Sequence, residues 1–110
     1  MKNIYSNIYS LNKKTLNQTI KSLKKGNIAG LPTETVYGLA GNAYSKKAVI
    51  KIFKLKNRPK NNPLIIHYCS LKNLKKDVIL NKNFLKLYKK FCPGAITFVL
   101  KKNKKSEISS

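Results

Sequence analysis

Apolar residues recur every three or four positions in three segments of the chain, which is the spacing that places them on one face of a helix. The apolar faces consist of Leu16, Ile20 and Leu23, then of Ala48, Val49, Ile52 and Phe53, and finally of Phe84, Leu87, Tyr88 and Phe91. Gly26 is suited to end the first segment, Ser45 to cap the second, and Pro59 to follow its end. The pattern predicts helices over Thr15–Lys25, between Ser45 and Pro59, and over Phe84–Phe91.

Short apolar runs lie between these helices and predict strands. The predicted strands are Ile28 to Leu31, which Pro32 ends, Leu64 to Tyr68, and Ala95 to Leu100. The residues from Leu71 to Leu80 fit either a short helix or a loop. Alternating helices and strands favour an α/β fold in which helices cover an open sheet. We expect a domain over residues 1–100, followed by a basic, polar tail over residues 101–110 that trails as a mobile segment.

The charge of the chain is extreme. Its 110 residues include 24 Lys and Arg against three acids, a formal net charge of +21. Such a charge attracts polyanions with an affinity that falls steeply as salt rises, so RNA is a candidate partner. Codons rich in A and T would produce the same excess of Lys without selection for RNA, and the charge leaves both explanations open. Arg58 is the single Arg, and its planar fork can bind phosphate in a way that Lys cannot.

The hydrophobic fraction of 42% indicates a chain that folds, at least in part. Cys69 and Cys92 form no Cys-x-x-Cys pair and His67 is the single His, so neither a zinc site nor a disulfide framework is indicated. The N-terminus lacks the apolar run of a signal peptide, and no apolar stretch approaches the roughly twenty residues of a membrane span. We therefore expect a cytoplasmic protein without a membrane partner.

One segment, Gly30-Leu-Pro-Thr-Glu-Thr-Val-Tyr-Gly-Leu-Ala, places two Thr, an acid and a Tyr directly after a predicted strand. Binding loops usually lie at such positions. The hydroxyls of Thr33 and Thr35 can donate and accept hydrogen bonds, and Glu34 can hold an ammonium group or accept a proton. The segment fits a small polar ligand, and it fits equally a Thr-rich turn whose polar groups only satisfy the backbone.

A second segment, Lys56-Asn-Arg-Pro-Lys-Asn-Asn-Pro, follows the second predicted helix. Arg58 can bind two phosphate oxygens at once, Lys56 adds a point charge, and Asn62 can donate without adding charge. This suits a triphosphate, although an ordinary basic loop has the same composition, and the chain has no Gly-rich phosphate loop. His67 ends an apolar run, where it is either a core residue or a hydrogen-bonding partner of a substrate.

Four motifs together resemble the threonylcarbamoyl-AMP synthase (YrdC-like) family in their order and spacing. They are Pro-Thr-Glu-Thr-Val-Tyr-Gly-Leu from Pro32, Lys-x-Arg-Pro from Lys56, Asn-Pro-Leu-Ile-x-His from Asn62, and Phe-x-Pro-Gly-x-x-Thr-x-Val-Leu from Phe91. The resemblance implies a YrdC-like twisted open sheet flanked by helices. Family members carry a further stretch with another basic residue and a Ser-Ala-Asn motif, so we expect this domain to be incomplete at the C-terminus, that is, a truncated form.

The resemblance implies a nucleotidyltransferase that forms threonylcarbamoyl-AMP and pyrophosphate from L-threonine, bicarbonate and ATP. A downstream threonylcarbamoyl-transferase complex would pass the threonylcarbamoyl group to tRNA. The implied site residues are Thr35 and His67 for L-threonine, Lys56, Arg58 and Asn62 for ATP, and Thr33, Glu34 and Tyr37 as accessory residues. Magnesium is expected on the ATP phosphates, although the sequence shows no cluster of acids to hold it, and no residue is assigned a catalytic role.

Three other hypotheses stay open at this point. The first is a double-stranded RNA-binding protein of the same fold, which the charge favours. The second is a related domain that handles carbamoyl phosphate, and the third is an inactive, shortened remnant.

Overall fold

Four helices and two strands form in the computed structural model, which describes residues 7–109. In chain order they are α1 (Lys13–Lys24), β1 (Ala29–Pro32), β2 (Tyr37–Ala40), α2 (Lys46–Leu55), α3 (Leu71–Leu74) and α4 (Lys82–Phe91). The chain divides into two units, Met1–Pro59 and Lys60–Ser110. The predicted mixture of helices and strands is confirmed. Across the described residues, no helix has both the length and the apolar character needed to cross a membrane.

Helix α1 confirms the first predicted helix and begins at a reciprocal cap. The Asn12 side chain accepts a hydrogen bond from the Thr15 amide at 3.0 Å, and the Thr15 hydroxyl accepts one from the Asn12 amide at 3.0 Å. Two of the amides that a helix start leaves unpaired are satisfied in this way. The helix ends before Gly26, whose φ of +85° is a left-handed conformation that glycine adopts without steric cost.

Strands β1 and β2 form a two-stranded antiparallel sheet. Its register pairs Ala29 with Ala40, Gly30 with Leu39, Leu31 with Gly38 and Pro32 with Tyr37. Strand β1 confirms the predicted strand, one residue further along the chain. Strand β2 lies in the segment that the sequence predicts to be a loop, because the apolar run after the Thr-Glu-Thr turn pairs back onto β1.

Helix α2 packs against the residue that follows this hairpin. Ser45 caps the helix as predicted, accepting from the Ala48 amide at 3.2 Å. Ala48 and Ile52 are buried, and a Cβ placed on Gly41 would lie 3.2 Å from side-chain carbons of both. The missing side chain of Gly41 therefore permits the close approach that forms the core of the first unit.

The core of the second unit lies on α4, which confirms the third predicted helix. Phe84 is 4% exposed, and the Phe98 ring meets it edge-on, with centroids 4.9 Å apart and planes at 86°. This is a favoured aromatic geometry. Asn81 begins the helix by accepting from the Phe84 amide at 2.8 Å.

The predicted strands Leu64–Tyr68 and Ala95–Leu100 are wrong as strands, because neither segment has regular secondary structure. Val99 is 98% exposed and does not lie in a core. An apolar run becomes a strand only where a second strand supplies hydrogen-bonding partners. In the second unit as described, the one ladder contact is an isolated bridge between Val78 and Lys102. The ambiguous segment Leu71–Leu80 contains the short helix α3, followed by a turn.

A buried carboxyl group connects three segments of the second unit. Asp77 is 2% exposed and accepts hydrogen bonds from the Tyr68 hydroxyl at 2.9 Å and the Ser106 hydroxyl at 2.6 Å. The Asn103 amide donates to the Asp77 carbonyl at 2.7 Å. Asn103 and Ser106 lie in the segment that the sequence predicts to be a mobile tail. The expectation of mobility is wrong at these two residues, because both are hydrogen-bonded to Asp77 and a buried carboxylate requires donors. The domain bounds 1–100 and 101–110 stay a prediction.

Candidate functional site

The tip of the β1–β2 hairpin carries the first group of predicted site residues. Thr33 and Val36 flank the tip, and the Thr33 amide donates to the Val36 carbonyl at 3.0 Å. The Thr33 hydroxyl accepts from the Val36 amide at 3.2 Å and donates to the Val36 carbonyl. Glu34 and Thr35, the two residues between them, are exposed. The structure thus engages the Thr33 hydroxyl in the turn and leaves the Thr35 side chain accessible.

Tyr37 extends this exposed group beyond the turn. It is the first residue of β2, opposite Pro32 in the register, and its side chain is 79% exposed. Glu34, Thr35 and Tyr37 therefore offer a carboxylate, a hydroxyl and a phenol within four positions of the chain. Such a set can bind a small ligand that carries an ammonium group and further polar groups.

The end of α2 carries the second group, and its backbone follows a specific stop motif. Asn57 adopts a left-handed conformation with φ of +50°. Its amide donates to the Lys54 carbonyl at 3.2 Å, and the Arg58 amide donates to the Phe53 carbonyl at 2.9 Å. These two bonds define the Schellman motif, in which a left-handed residue ends a helix and satisfies its last carbonyls.

This motif fixes the backbone of Arg58 at the helix end. Arg58 is half-buried and Lys56 is exposed. Both cations follow the C-terminal end of α2, where the helix dipole favours positive charge. A phosphate there would be bound by side chains, in contrast to sites in which helix N-terminal amides hold the anion.

The remaining predicted site residues, Asn62 and His67, lie in the second unit. Both are exposed, in a segment without regular secondary structure. Exposure excludes the core role that the sequence left open for His67. The next residue, Tyr68, is half-buried and donates its hydroxyl to Asp77, which ties the backbone directly after His67 to the interior.

By position in the chain, the predicted residues therefore fall into three groups. These groups are Thr33, Glu34, Thr35 and Tyr37 on the hairpin tip, Lys56 and Arg58 at the end of α2, and Asn62 and His67 in the second unit. Sequence reasoning missed Asn57 and Asp77. Asn directly after a predicted helix and shortly before a proline is a C-cap signal that could have indicated Asn57, whereas Asp77 gave no local signal.

A shallow depression of about 430 Å³ lies elsewhere in the first unit. Its lining residues are Ile28, Lys51, Lys54 and Leu55. None of them is a predicted site residue. An apolar depression of this kind has no convergent polar groups with which to fix a ligand, so we assign it no role.

The described residues do not fit a magnesium site built by the protein. Residues 7–109 contain no group of three or more His, Cys, Asp or Glu side chains placed to hold a metal ion. Asp77 is committed to Tyr68 and Ser106. Magnesium is commonly held by one or two carboxylates together with substrate phosphates. Glu34 is the one carboxylate among the predicted site residues.

Comparison with known proteins identifies the class. The family model Sua5/YciO/YrdC, described as telomere recombination, matches residues 21–110. This chain belongs to that family.

Relatives of the chain are named threonylcarbamoyl-AMP synthase. It is 44% identical over 85 residues to the Pyrococcus abyssi protein, covering 74% of this chain and 24% of that one. It is 39% identical over 93 residues to the Bacillus subtilis protein, covering 83% and 27%. A putative synthase of Methanocaldococcus jannaschii is 36% identical over 106 residues, covering 93% and 51%. The chain thus spans between a quarter and a half of the length of these relatives.

A solved structure has the same fold over the region that this chain represents. It is P. abyssi Sua5 complexed with L-threonine, with a TM-score of 0.80, 36% sequence identity and coverage of 88% of this chain and 29% of that one. The predicted YrdC-like fold is confirmed over this part of the domain.

Proposed function

We propose that this chain provides L-threonine- and ATP-binding elements of a threonylcarbamoyl-AMP synthase, a nucleotidyltransferase. The observation that supports the proposal best is its likeness to P. abyssi Sua5, at 36% identity and a TM-score of 0.80, in a structure that contains L-threonine. Because the chain covers 29% of that protein, the proposal concerns the part of the site that residues 7–109 contribute.

Threonine is assigned to Thr35 and His67. Both side chains are exposed, so each can form a hydrogen bond to the amino acid without moving a core. Glu34 and Tyr37, on the same tip as Thr35, are accessory partners for polar groups of the ligand. A carboxylate and hydroxyls at fixed positions would select a small zwitterion with a side-chain hydroxyl.

ATP is assigned to Arg58, with Lys56 and Asn62. In the proposed reaction the amine of L-threonine and bicarbonate first give a carbamate with loss of water. A carbamate oxygen then bonds to the α-phosphorus of ATP while the bond to the β-phosphate oxygen breaks and pyrophosphate leaves. Negative charge builds on the phosphoryl oxygens, so cations held in place lower the barrier through position and electrostatics. No protein nucleophile takes part, and any magnesium would arrive on the nucleotide.

The product would serve tRNA modification. A downstream threonylcarbamoyl-transferase would move the threonylcarbamoyl group from the adenylate to tRNA, in the cytoplasm. Bicarbonate is the third substrate of the proposed reaction.

Isothermal titration of ATP into the purified chain and its variants tests the nucleotide assignment. Arg58→Ala is expected to weaken ATP binding by about tenfold or more, since a charge-assisted bidentate pair is lost. Arg58→Lys keeps the charge and loses the planar fork, so its ATP affinity is expected to lie between those of the wild type and Arg58→Ala. Lys47→Ala is the matched control, because it removes one positive charge from the opposite end of α2. Equal ATP affinity in Arg58→Ala and Lys47→Ala would contradict the assignment.

A second candidate function is binding of RNA, either tRNA or double-stranded RNA. The supporting observation is the net charge of +21. A charge-driven interaction predicts that the logarithm of the affinity for duplex RNA falls linearly with the logarithm of salt concentration. Filter binding across a salt series, with and without ATP, measures this. Weak binding with a shallow slope would favour codon bias as the origin of the Lys residues.

A further inference from the structure

The two residues at the hairpin tip, Glu34 and Thr35, lack the feature that tight hairpin turns usually require. Favoured two-residue turns need a left-handed backbone at one or both central positions, which is why Gly and Asn are common there. Within residues 7–109, Asn57 is the one non-glycine residue with a positive φ. Glu34 and Thr35 therefore turn the chain with ordinary backbone conformations, and other groups must close the turn.

The side chain of Thr33 closes it. The Thr33 amide donates to the Val36 carbonyl at 3.0 Å, which is one of the two backbone bonds of a tight hairpin. The second bond would run from the Val36 amide to the Thr33 carbonyl. In this structure the Val36 amide donates to the Thr33 hydroxyl instead, at 3.2 Å, and the hydroxyl donates to the Val36 carbonyl. The hydroxyl thus takes the place of a backbone acceptor.

The methyl group of Thr33 lies beside Gly38. A Cβ placed on Gly38 would lie 3.4 Å from Thr33 Cγ2, which is ordinary van der Waals contact. Gly38 is the second residue of β2 and pairs with Leu31. The Thr33 hydroxyl is therefore held by Val36, and the Thr33 methyl lies on the side of the turn where Gly38 has no side chain.

We propose that Thr33 is a positioning residue, whose hydroxyl holds the tip in the conformation that presents Thr35 to L-threonine. The inference rests on the proposed function, because the role of Thr35 is part of it. It departs from an accessory ligand role for Thr33, since the hydroxyl is occupied by Val36. A tip held before binding loses less conformational freedom when the ligand arrives, so the turn raises affinity without a contact to the ligand.

Two substitutions separate the hydroxyl from the methyl. Thr33→Val keeps the branched shape beside Gly38 and removes the hydroxyl, whereas Thr33→Ser keeps the hydroxyl and removes the methyl. Thr19→Val is the matched control, because Thr19 donates its hydroxyl to the Thr15 carbonyl at 2.8 Å within α1, away from the tip. Amide spectra of each 110-residue variant are recorded during titration with L-threonine and, separately, with ATP, and the exchange rate of the Val36 amide is measured without ligand.

Thr33→Val is expected to weaken L-threonine binding by about tenfold, the equivalent of one hydrogen bond, to leave ATP affinity unchanged and to speed Val36 exchange. Thr33→Ser and Thr19→Val are expected to bind both ligands as the wild type does. Wild-type affinity in Thr33→Val overturns the proposal, as does equal loss in Thr33→Ser or a parallel loss of ATP binding. If the wild type binds no L-threonine, the proposed function fails on its threonine side and the positioning role with it. The exchange rate of the Val36 amide then still tests whether the Thr33 hydroxyl stabilises the turn. An unchanged rate in Thr33→Val shows that it does not.

Discussion

Replacing Asp77 by Ala should destabilise the second unit more than any other single loss of a hydroxyl or carboxyl group there. The carboxylate accepts from Tyr68 and Ser106 on its two oxygens and is 2% exposed. Removing it leaves two donors without their acceptor, and residues 103–106 keep only the backbone bond from the Asn103 amide to the carbonyl of residue 77 as their hydrogen bond to the turn after α3. The change therefore tests whether this hydrogen-bonded cluster holds the unit together.

The magnitude follows from the two bonds. A hydrogen bond to a charged group contributes about 1.5–3 kcal/mol net, so two contribute about 3–6 kcal/mol. Tyr68 and Ser106 are half-buried, and water can reach their hydroxyls after the substitution, which places the expected loss near the lower end, at about 3 kcal/mol. In a domain of this size each 1 kcal/mol lowers the melting midpoint by roughly 4–8 °C.

Thermal melts followed by circular dichroism, together with exchange of the Asn103 amide, measure the effect. Because Asp77→Ala can abolish folding of the unit, Tyr68→Phe and Ser106→Ala provide graded versions that each remove one bond. Each should cost about 1–2 kcal/mol and speed Asn103 exchange, whose amide donates to the Asp77 carbonyl at 2.7 Å. Midpoints and exchange rates equal to the wild type in Asp77→Ala would refute the reasoning.

Two further predictions concern the first unit. Asn57→Ala forces a residue without a polar side chain into a left-handed conformation, at a cost of about 1–2 kcal/mol. The variant should weaken ATP binding in calorimetry by loosening Arg58, while Asn57→Gly should bind ATP as the wild type does. Equal ATP affinity in the wild type and both variants would contradict the role given to the stop motif. Gly41→Ala places a Cβ 3.2 Å from Ala48 and Ile52 and should lower stability by about 1–3 kcal/mol in thermal melts. Gly30→Ala is its control, since a Cβ there meets nothing within 4 Å, and equal midpoints for the two variants would show that the close approach at Gly41 is unimportant.

The helices could be predicted from the sequence because their signals are local. The apolar spacing of Ala48 and Ile52 and the cap at Ser45 lie within a few residues of one another, so the helix carries its own evidence. The left-handed stop at Asn57 also has a local signal, an Asn shortly before a proline, although it was not predicted. The sequence therefore predicted that Arg58 follows the second helix, but it did not predict the motif that fixes its backbone.

The strands and the buried carboxylate could not be predicted in the same way, because they depend on distant partners. Ala95–Leu100 has the composition of a strand, yet within the described residues nothing pairs with it along its length. Asp77 accepts a hydrogen bond from Ser106, 29 positions away, and no local sequence pattern predicts such a contact. The tip was intermediate: the sequence allowed both a ligand loop and a satisfied turn, and the structure assigns the turn to Thr33 while leaving Thr35 exposed.

The most direct measurement of the central claim is calorimetric titration of L-threonine and, separately, of ATP into the folded 110-residue chain. We expect the chain to bind both ligands, and we expect ATP binding to weaken by about tenfold in Arg58→Ala but not in Lys47→Ala. A folded chain that binds neither ligand, or equal ATP affinity in the two variants, would contradict the claim that the chain carries these binding elements.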